Sequence, residues 1–225
     1  MDTPNDALRV LLVDDHAVVL RGLEALLAEA DEVEVVGAAG DGGEAVELAH
    51  RLRPDVILMD LLMPGVDGTE ATAKILRRHP AMRIVVLTGA DIGRHVLPAL
   101  RAGALGYVSK SSNLEELLTA IRQVAAGRAS FPYELTRRLL AELDAPNPVE
   151  PLSPREQEIL REVARGLSNH AIAQRLHISA ATVRTHVSNI FGKIAVSNRV
   201  EATLYALRHG IAFLEDASPS PPPAT

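Results

Sequence analysis

Pro54-Asp-Val-Ile-Leu-Met-Asp60-Leu-Leu-Met-Pro-Gly-Val-Asp-Gly68 is the stretch that decides the fold. Val56 to Met59 form an apolar run short enough for one buried strand and too short for an ordinary helix. Asp60 ends that run, so its carboxylate falls at the C-terminal end of a strand. Pro64, Gly65 and Gly68 then enforce a loop before the next periodic segment. In an open parallel sheet, ligands and chemistry collect in the crevice beyond the carboxyl ends of the strands. An acid on an apolar strand tip is costly unless paired, hydrated or metal-bound. Asp60 therefore marks a site.

Four more short apolar runs, Val10–Val13, Val33–Ala38, Ile84–Leu87 and Leu105–Val108, flank this one. Amphipathic stretches alternate with them: Val18, Leu23, Leu26 and Leu27; Ala45, Val46, Leu48, Ala49 and Leu52; Leu114, Leu117, Leu118, Ile121 and Val124. The repetition predicts an α/β doubly wound (βα)5 domain with helices on both faces. The fourth helix, about Ile92–Ala102, contains Gly93 and Pro98, and Pro98 is expected to kink it or delay its start. Tyr133–Leu143 reads as a helix leading out, with Leu135, Leu139, Leu140 and Leu143 on one side and Arg137 and Arg138 on the other. Asp144 to Pro151 holds three prolines in eight residues and reads as a linker.

Only helices follow. Ser153, Pro154 and Glu156 form a capping box opening a helix that runs to about Arg165 and stops at Gly166. Ser168 or Asn169 caps a short helix ending near Leu176, and Ser179 caps a longer one from Ala180 to about Ala195. A last helix, from about Arg199 to His209, ends at Gly210, and Ala217–Thr225 is rich in Pro and Ser and expected to be disordered. The expected organisation is a domain at 1–128, a linker helix and Pro-rich linker at 129–151, a small all-α domain at 152–214 and a tail at 215–225.

The 225 residues suffice for two cores, and with 3% aromatics these must be rich in Leu, Val, Ile and Ala. The chain has no cysteine, which excludes disulfides, thiol chemistry and Cys-ligated zinc. Asp2 and Asp6 in an N-terminus without an apolar core do not suit a secretory signal, and no apolar run approaches the ~20 residues of a membrane span. A cytoplasmic protein without membrane partners is expected. Residues 1–150 hold 15 Lys/Arg against 23 Asp/Glu, and residues 151–225 hold 8 against 6. An acidic half joined to a basic half hints at a nucleic-acid-binding module.

Asp14 and Asp15 follow the first strand and share the sheet edge with Asp60. Three converging acids repel unless a cation sits among them, and oxygen-only ligands in a shallow, hydrated site suit Mg²⁺. Thr88 ends the fourth strand and Lys110 follows the fifth. Singly, each has a plain role as cap, turn residue or solvated charge. Together on four strand ends they make a site for a phosphoryl group, with Asp60 as nucleophile.

Val-Asp14-Asp15-His, Met-Asp60-Leu-Leu-Met-Pro-Gly, Val-Leu-Thr88-Gly and Gly-Tyr107-Val-Ser-Lys110 resemble the CheY-like receiver domain of bacterial response regulators, across residues 9–126. The resemblance implies that Asp60 accepts phosphate from a sensor histidine kinase. It implies that Asp15, Asp60 and the Leu62 carbonyl bind Mg²⁺ directly and Asp14 through water. Thr88 and Lys110 would hold the phosphoryl oxygens, with Tyr107 rotating during switching. Leu62 and Ala90 are apolar where polar residues often orient the attacking water, so the phosphoryl group is expected to hydrolyse slowly. Lys110 is followed by Ser111 rather than Pro, so a cis peptide is not expected there.

Residues 168–195 read as a helix-turn-helix. Ile172, Ala173 and Leu176 form one apolar face, His177-Ile178 the turn, and Val183, Val187, Ile190 and Ile194 the inner face of the second helix. The opposite face carries Thr185, Ser188, Asn189 and Gly192, flanked by Arg184 and Lys193, and it has no acid. An amphipathic surface helix shows the same pattern, but this face also suits the major groove of double-stranded DNA, with Ser179–Thr182 able to receive a phosphate. Leu152-Ser-Pro-Arg-Glu-Gln-Glu-Ile-Leu160 and Ile178-Ser-Ala-Ala-Thr-Val-Arg-Thr-His-Val-Ser-Asn-Ile190 are similar to the LuxR-type helix-turn-helix. Gly166-Leu-Ser-Asn169 and Ile172-Ala-Gln-Arg-Leu176 extend the match, and with the receiver in front the chain resembles the NarL/FixJ class. His170, Ala171 and Ala195 depart from that pattern, where Lys, Glu and Gly are usual. The family implies a homodimer on phosphorylation, with Val200, Thr203, Leu204 and Leu207 as a contact face.

The expected function is a phosphorylation-switched transcription regulator. A regulator of the same family that works without phosphate is the alternative. An Asp-nucleophile phosphatase is disfavoured, since Leu62 stands where haloacid-dehalogenase-type enzymes place a general acid. A nucleotide-binding enzyme is disfavoured because Asp14–Arg21 contains no glycine.

Overall fold

The computed structural model describes residues 7–89, 92–131, 135 and 150–212, with backbone alone at 92–94. The chain divides into two compact units after Leu135. The first carries β1 (Leu8–Val13), α1 (Ala17–Leu27), β2 (Val33–Ala39), α2 (Gly42–Leu52), β3 (Val56–Met59), α3 (Gly68–Arg78), β4 (Ile84–Thr88), α4 (Ile92–Arg101), β5 (Gly106–Ser109) and α5 (Leu114–Ala125). Most of the expected linker helix, the linker's first six residues, the tail and Ala90 lie outside the described residues.

All five strands are parallel, in the order β2-β1-β3-β4-β5. Parallel strands need crossovers, and both sheet faces must be covered, which is why the runs read as continuously apolar. Val10, Leu12, Val56, Leu58, Val85 and Leu87 face one way, packed with Leu27, Leu117, Leu118, Ile121 and Val124 of α1 and α5. Leu11, Ile57, Met59, Ile84 and Val86, of the opposite pleat, are equally buried. Leu11 lies near Leu52 of α2, and α2, α3 and α4 pack successively side by side.

Strand order reverses between β1 and β3, and such a switch point opens a crevice. Asp14 and Asp60 immediately follow these two strands, and the Asp60 amide donates to the Val13 carbonyl at 2.9 Å. The loop after Asp60 returns so tightly that a Cβ on Gly68 would lie 1.9 Å from the Asp60 carbonyl oxygen. Gly68 is there because the start of α3 touches the end of β3, a stronger reason than loop-breaking.

Two sequence expectations change. Helix α4 begins at Ile92, so Pro98 does not delay its start; the proline sits inside the helix on the exposed side, opposite buried Val96, Ala99 and Leu100. Burial of the apolar stripe overrides the local penalty of the ring. Ser130, grouped with the linker in the sequence reading, adds to the edge of β5: its N–H donates to Leu105 O at 3.0 Å and its carbonyl accepts from Tyr107 N–H at 2.9 Å.

In the second unit, α6 (Pro154–Ala164), α7 (Asn169–Leu176), α8 (Ala180–Lys193) and α9 (Arg199–Arg208) surround a core that includes Ile159, Leu160, Val163, Ile172, Val183 and Ile190. Ser153, Ser168, Ser179 and Asn198 cap the four N-termini, each accepting from the N–H three residues on, and Ser153–Glu156 closes the expected capping box. All four helices end in one motif, with Gly166, His177, Ala195 and Gly210 at positive φ. The following amides bond back to the last turn: Leu167 to Glu162, Ile178 to Ala173, Val196 to Phe191 and Ile211 to Ala206. Ala195, with φ of 54°, occupies a position that glycine fills without cost.

Three stability predictions follow from these positions. Gly68→Ala lowers the unfolding free energy by about 1–3 kcal/mol. Gly22→Ala, exposed in α1 with nothing within 4 Å of the added carbon, raises it by roughly 0.5–1 kcal/mol. Urea denaturation of the two variants reads both signs. Ala195→Gly relieves a left-handed alanine and stabilises the second unit by about 1 kcal/mol, measured as a later urea midpoint of its helical signal; an unchanged midpoint refutes the strain.

Candidate functional site

The ends of β1, β3 and β5 converge on one ammonium group. Lys110 Nζ lies 2.8 Å from Asp60 Oδ2 and 2.6 Å from Asp14 Oδ2. Asp14 and Asp60 are 0% and 2% exposed, so both carboxylates depend on such partners. Asp60 Oδ1 also accepts from the Leu61 N–H at 2.8 Å, with the Leu62 N–H at 3.4 Å. Burial alone would lower the Lys110 pKa, but its bonds to Asp14 and Asp60 and their charges outweigh it and raise the value. Lys110 stays charged.

Asp15 is more open and pairs with His16, whose Nδ1 lies 2.8 Å from Asp15 Oδ1 and 3.2 Å from Asp14 Oδ1. The His16 N–H donates to Asp14 Oδ1 at 2.9 Å. One ligand atom each from Asp14, Asp15, His16 and Asp60 falls within a common 4.8 Å. Three carboxylates face one permanent cation. Asp14 Oδ2, fully buried, has among the described residues only the Lys110 ammonium to balance it, and that ammonium is shared with Asp60. An acceptor left in that state among surplus negative charge fits a hard divalent cation or its water. The sequence reading passed over His16, although it directly follows Asp15.

Thr88, 1% exposed, ends β4 between β3 and β5, and its carbonyl accepts from the Lys110 N–H at 3.2 Å. Tyr107 on β5 is buried, and burial raises its phenol pKa against a hydrogen bond with Ser109. Leu62 is 48% exposed, an unusual degree for a leucine beside a buried acid. The Lys110–Ser111 peptide is trans.

On α8, Thr182, Arg184, Thr185, Ser188 and Asn189 are exposed, while Val183, Val187 and Ile190 are buried. Thr182 closes the cap, its N–H donating to Ser179 Oγ at 3.0 Å with the two hydroxyls 2.7 Å apart, and Thr185 donates back to Ala181 O at 3.2 Å. Lys193 goes elsewhere. Its ammonium lies 2.9 Å from both oxygens of Glu156, the capping-box glutamate of α6. With Lys193 and Ser153 as donors, the Glu156 pKa falls to about 2. The geometry makes Lys193 a brace between α8 and α6 rather than part of the exposed polar face.

The expected contact face on α9 is also altered. Val200 and Leu204 are only 1% and 4% exposed, leaving Thr203 and Leu207 part-exposed. Arg199, which no periodicity singles out, points its guanidinium inward to the carbonyls of Val163 and Leu167, so that α9 secures the α6–α7 turn. Desolvation lowers its pKa to about 10.

Residues 10–122 match the family described as response regulator receiver domain, and residues 150–206 match bacterial regulatory proteins, luxR family. The transcriptional regulatory protein LiaR of Bacillus subtilis is 43% identical over 206 residues, covering 90% of this chain and 98% of LiaR. The response regulator protein VraR of Staphylococcus aureus is 38% identical over 205 residues, covering 91% and 98%. Among solved structures, response regulator ChrA of a heme-sensing two-component system superposes with a TM-score of 0.52 at 35% identity, covering 91% of this chain and 98% of ChrA. A structure of two RcsB dimers bound to two parallel DNAs gives 0.54 at 28%, covering 90% and 98%. A receiver crevice in the first unit and a luxR-type helix-turn-helix in the second, matched together along nearly the whole length of these relatives, place the chain in the luxR-type response regulators, the DNA-binding transcription regulators of two-component systems.

Proposed function

We propose that Asp60 is the phosphoacceptor of this regulator and a sensor histidine kinase its donor. The observation that carries this reading is the Lys110 ammonium bridging Asp60 and Asp14 at the switch point of the sheet. An Asp60 oxygen attacks the phosphorus of a phosphohistidine; the P–N bond breaks, and its electron pair and a proton end on the kinase imidazole. Lys110, held charged, balances the incoming negative charge, and the Thr88 hydroxyl hydrogen-bonds a phosphoryl oxygen. Asp14, Asp15, Asp60 and the Leu62 carbonyl would hold Mg²⁺, which when bound neutralises charge on the transferring group. Exposed apolar Leu62 leaves no acid two residues beyond Asp60 to drive turnover, which favours a switch over a hydrolase.

Phosphate redistributes the Lys110 contacts and biases Tyr107 and the fourth helix between two arrangements. The readout is double-stranded DNA in the cytoplasm, bound by a phosphorylation-promoted homodimer. The RcsB complex with DNA supports the dimer, and burial of Val200 and Leu204 means that a dimer contact through α9 first requires their uncovering. Thr182, Arg184, Thr185, Ser188 and Asn189 form the groove-facing set.

Asp60→Asn is expected to abolish phosphate-stimulated DNA binding while the thermal melt stays cooperative. Gel shifts with and without a small phosphoryl donor read this, and stimulation surviving in the variant sinks the assignment. The α8 face makes a second prediction. Arg184→Ala weakens DNA binding about tenfold or more and flattens its salt dependence. Lys193→Ala leaves the salt slope alone and lowers the melting temperature by stripping Glu156 of its partner. Titrations at two salt concentrations, paired with melts, separate the two roles.

A further inference from the structure

Far from Asp60, at the sheet edge where the strands begin, the C-terminal ends of α2 and α3 bring together His50, Arg53, Arg78 and His79. Cations gather at helix C-termini for a general reason, the macrodipole. Their hydrogen bonds to one another do not follow from it.

His50 Nδ1 and His79 Nε2 are 3.0 Å apart, in rings tilted by only 11° with centroids 5.1 Å apart. Parallel π faces do not approach to 3.0 Å, so this is an edge-to-edge N–H···N bond in a shared plane. Arg53 Nη1 lies 2.9 Å from His79 Nδ1. Arg53 and Arg78 can both only donate, so one end of the relay is left donor to donor. The shorter contact, 2.9 Å at Arg53 against 3.4 Å at Arg78, makes His79 Nδ1 the acceptor, with its proton on Nε2 and donated to His50 Nδ1. His50 must then carry its own proton on Nε2. That N–H faces Arg78 Nη2 at 3.4 Å, and Arg78 cannot accept it. The relay runs one way and ends on two donors with no acceptor between them.

The far end of the relay is anchored. Arg53 has φ of 49°, where glycine would be easier, and its Nε donates to the His50 carbonyl at 3.0 Å. Among the described residues, no carboxylate forms an ion pair with Arg53 or Arg78. Desolvation, then the charges of Arg53, His50 and Arg78, lower the His79 pKa, in keeping with the neutral ring that the relay requires.

We propose that the edge shared by His50 Nε2 and the Arg78 guanidinium, 3.4 Å apart, is a binding site for a phosphate-type oxyanion that lies alongside both nitrogens. Two oxygens of one tetrahedral group satisfy the two facing donors, and the charges of Arg53 and Arg78 suit a dianion better than a carboxylate. A metal ion is repelled by the same pair. Free phosphate and a phosphoryl group on another molecule share this chemistry.

The test is imidazole ¹⁵N NMR of the full chain without Mg²⁺, titrated with inorganic phosphate, with a phosphoserine peptide and with acetate. His50 and His79 ring signals should move saturably with inorganic phosphate and barely with acetate. Arg78→Gln should weaken binding at least about tenfold and Arg78→Lys less, since it keeps the charge but loses the planar fork. Arg122→Gln, whose arginine is already paired with Glu32 and Glu115, should titrate as wild type. Tighter binding of the peptide assigns the site to a phosphoryl group on a macromolecule, and equal binding to free phosphate. Shifts that never saturate, acetate matching phosphate, or an Arg78→Gln protein that titrates as wild type would overturn the proposal.

Discussion

One lysine ties together three strand ends. Between β3 and β5 lies β4, so Lys110 and Asp60 must meet across two strand spacings, roughly 10 Å. Only a long side chain reaching toward a short one closes that gap, and the residue passed over must be small. Thr88, at the end of β4, meets that requirement. The same bond lets two acids stay buried. Without a cation reaching from β5, Asp14 and Asp60 would face each other as bare charges in a dry pocket.

The second unit solves a different problem, holding one short helix face rigid for an external partner. Its means are local: a side-chain cap at every start and the same left-handed reversal at every end. Two long-range ties then fix the helices to one another, Lys193 to Glu156 and Arg199 to the carbonyls of the α6–α7 turn. Both use cations of a basic domain for internal bracing, so net charge overstates what is left for a polyanion.

What the sequence made legible was whatever depends on near neighbours. Buried parallel strands read as apolar runs, capping serines precede their helices, and Asp14 and Asp60 stand where such runs stop. What it hid depends on segments meeting in space. Lys193 sits on the correct side of a helical wheel, but its partner is 37 residues away. Gly68 passes for a turn residue until the Asp60 carbonyl is found against it. Val200 and Leu204 make an apolar stripe equally suited to a dimer and to burial within the chain. Pro98 shows the converse, a local rule yielding to the packing of Val96, Ala99 and Leu100.

Ser130 exchanges backbone bonds with the strand that carries Tyr107 and runs into Lys110. The chain leaving the first unit is therefore stitched to β5 before it goes anywhere else. Any sliding or twisting of that strand pulls directly on the outgoing segment, with no side chain needed as intermediary. The ammonium that bridges Asp14 and Asp60 and the seam beside Tyr107 lie on a single short piece of backbone. Crevice and tether share a load path a few residues long.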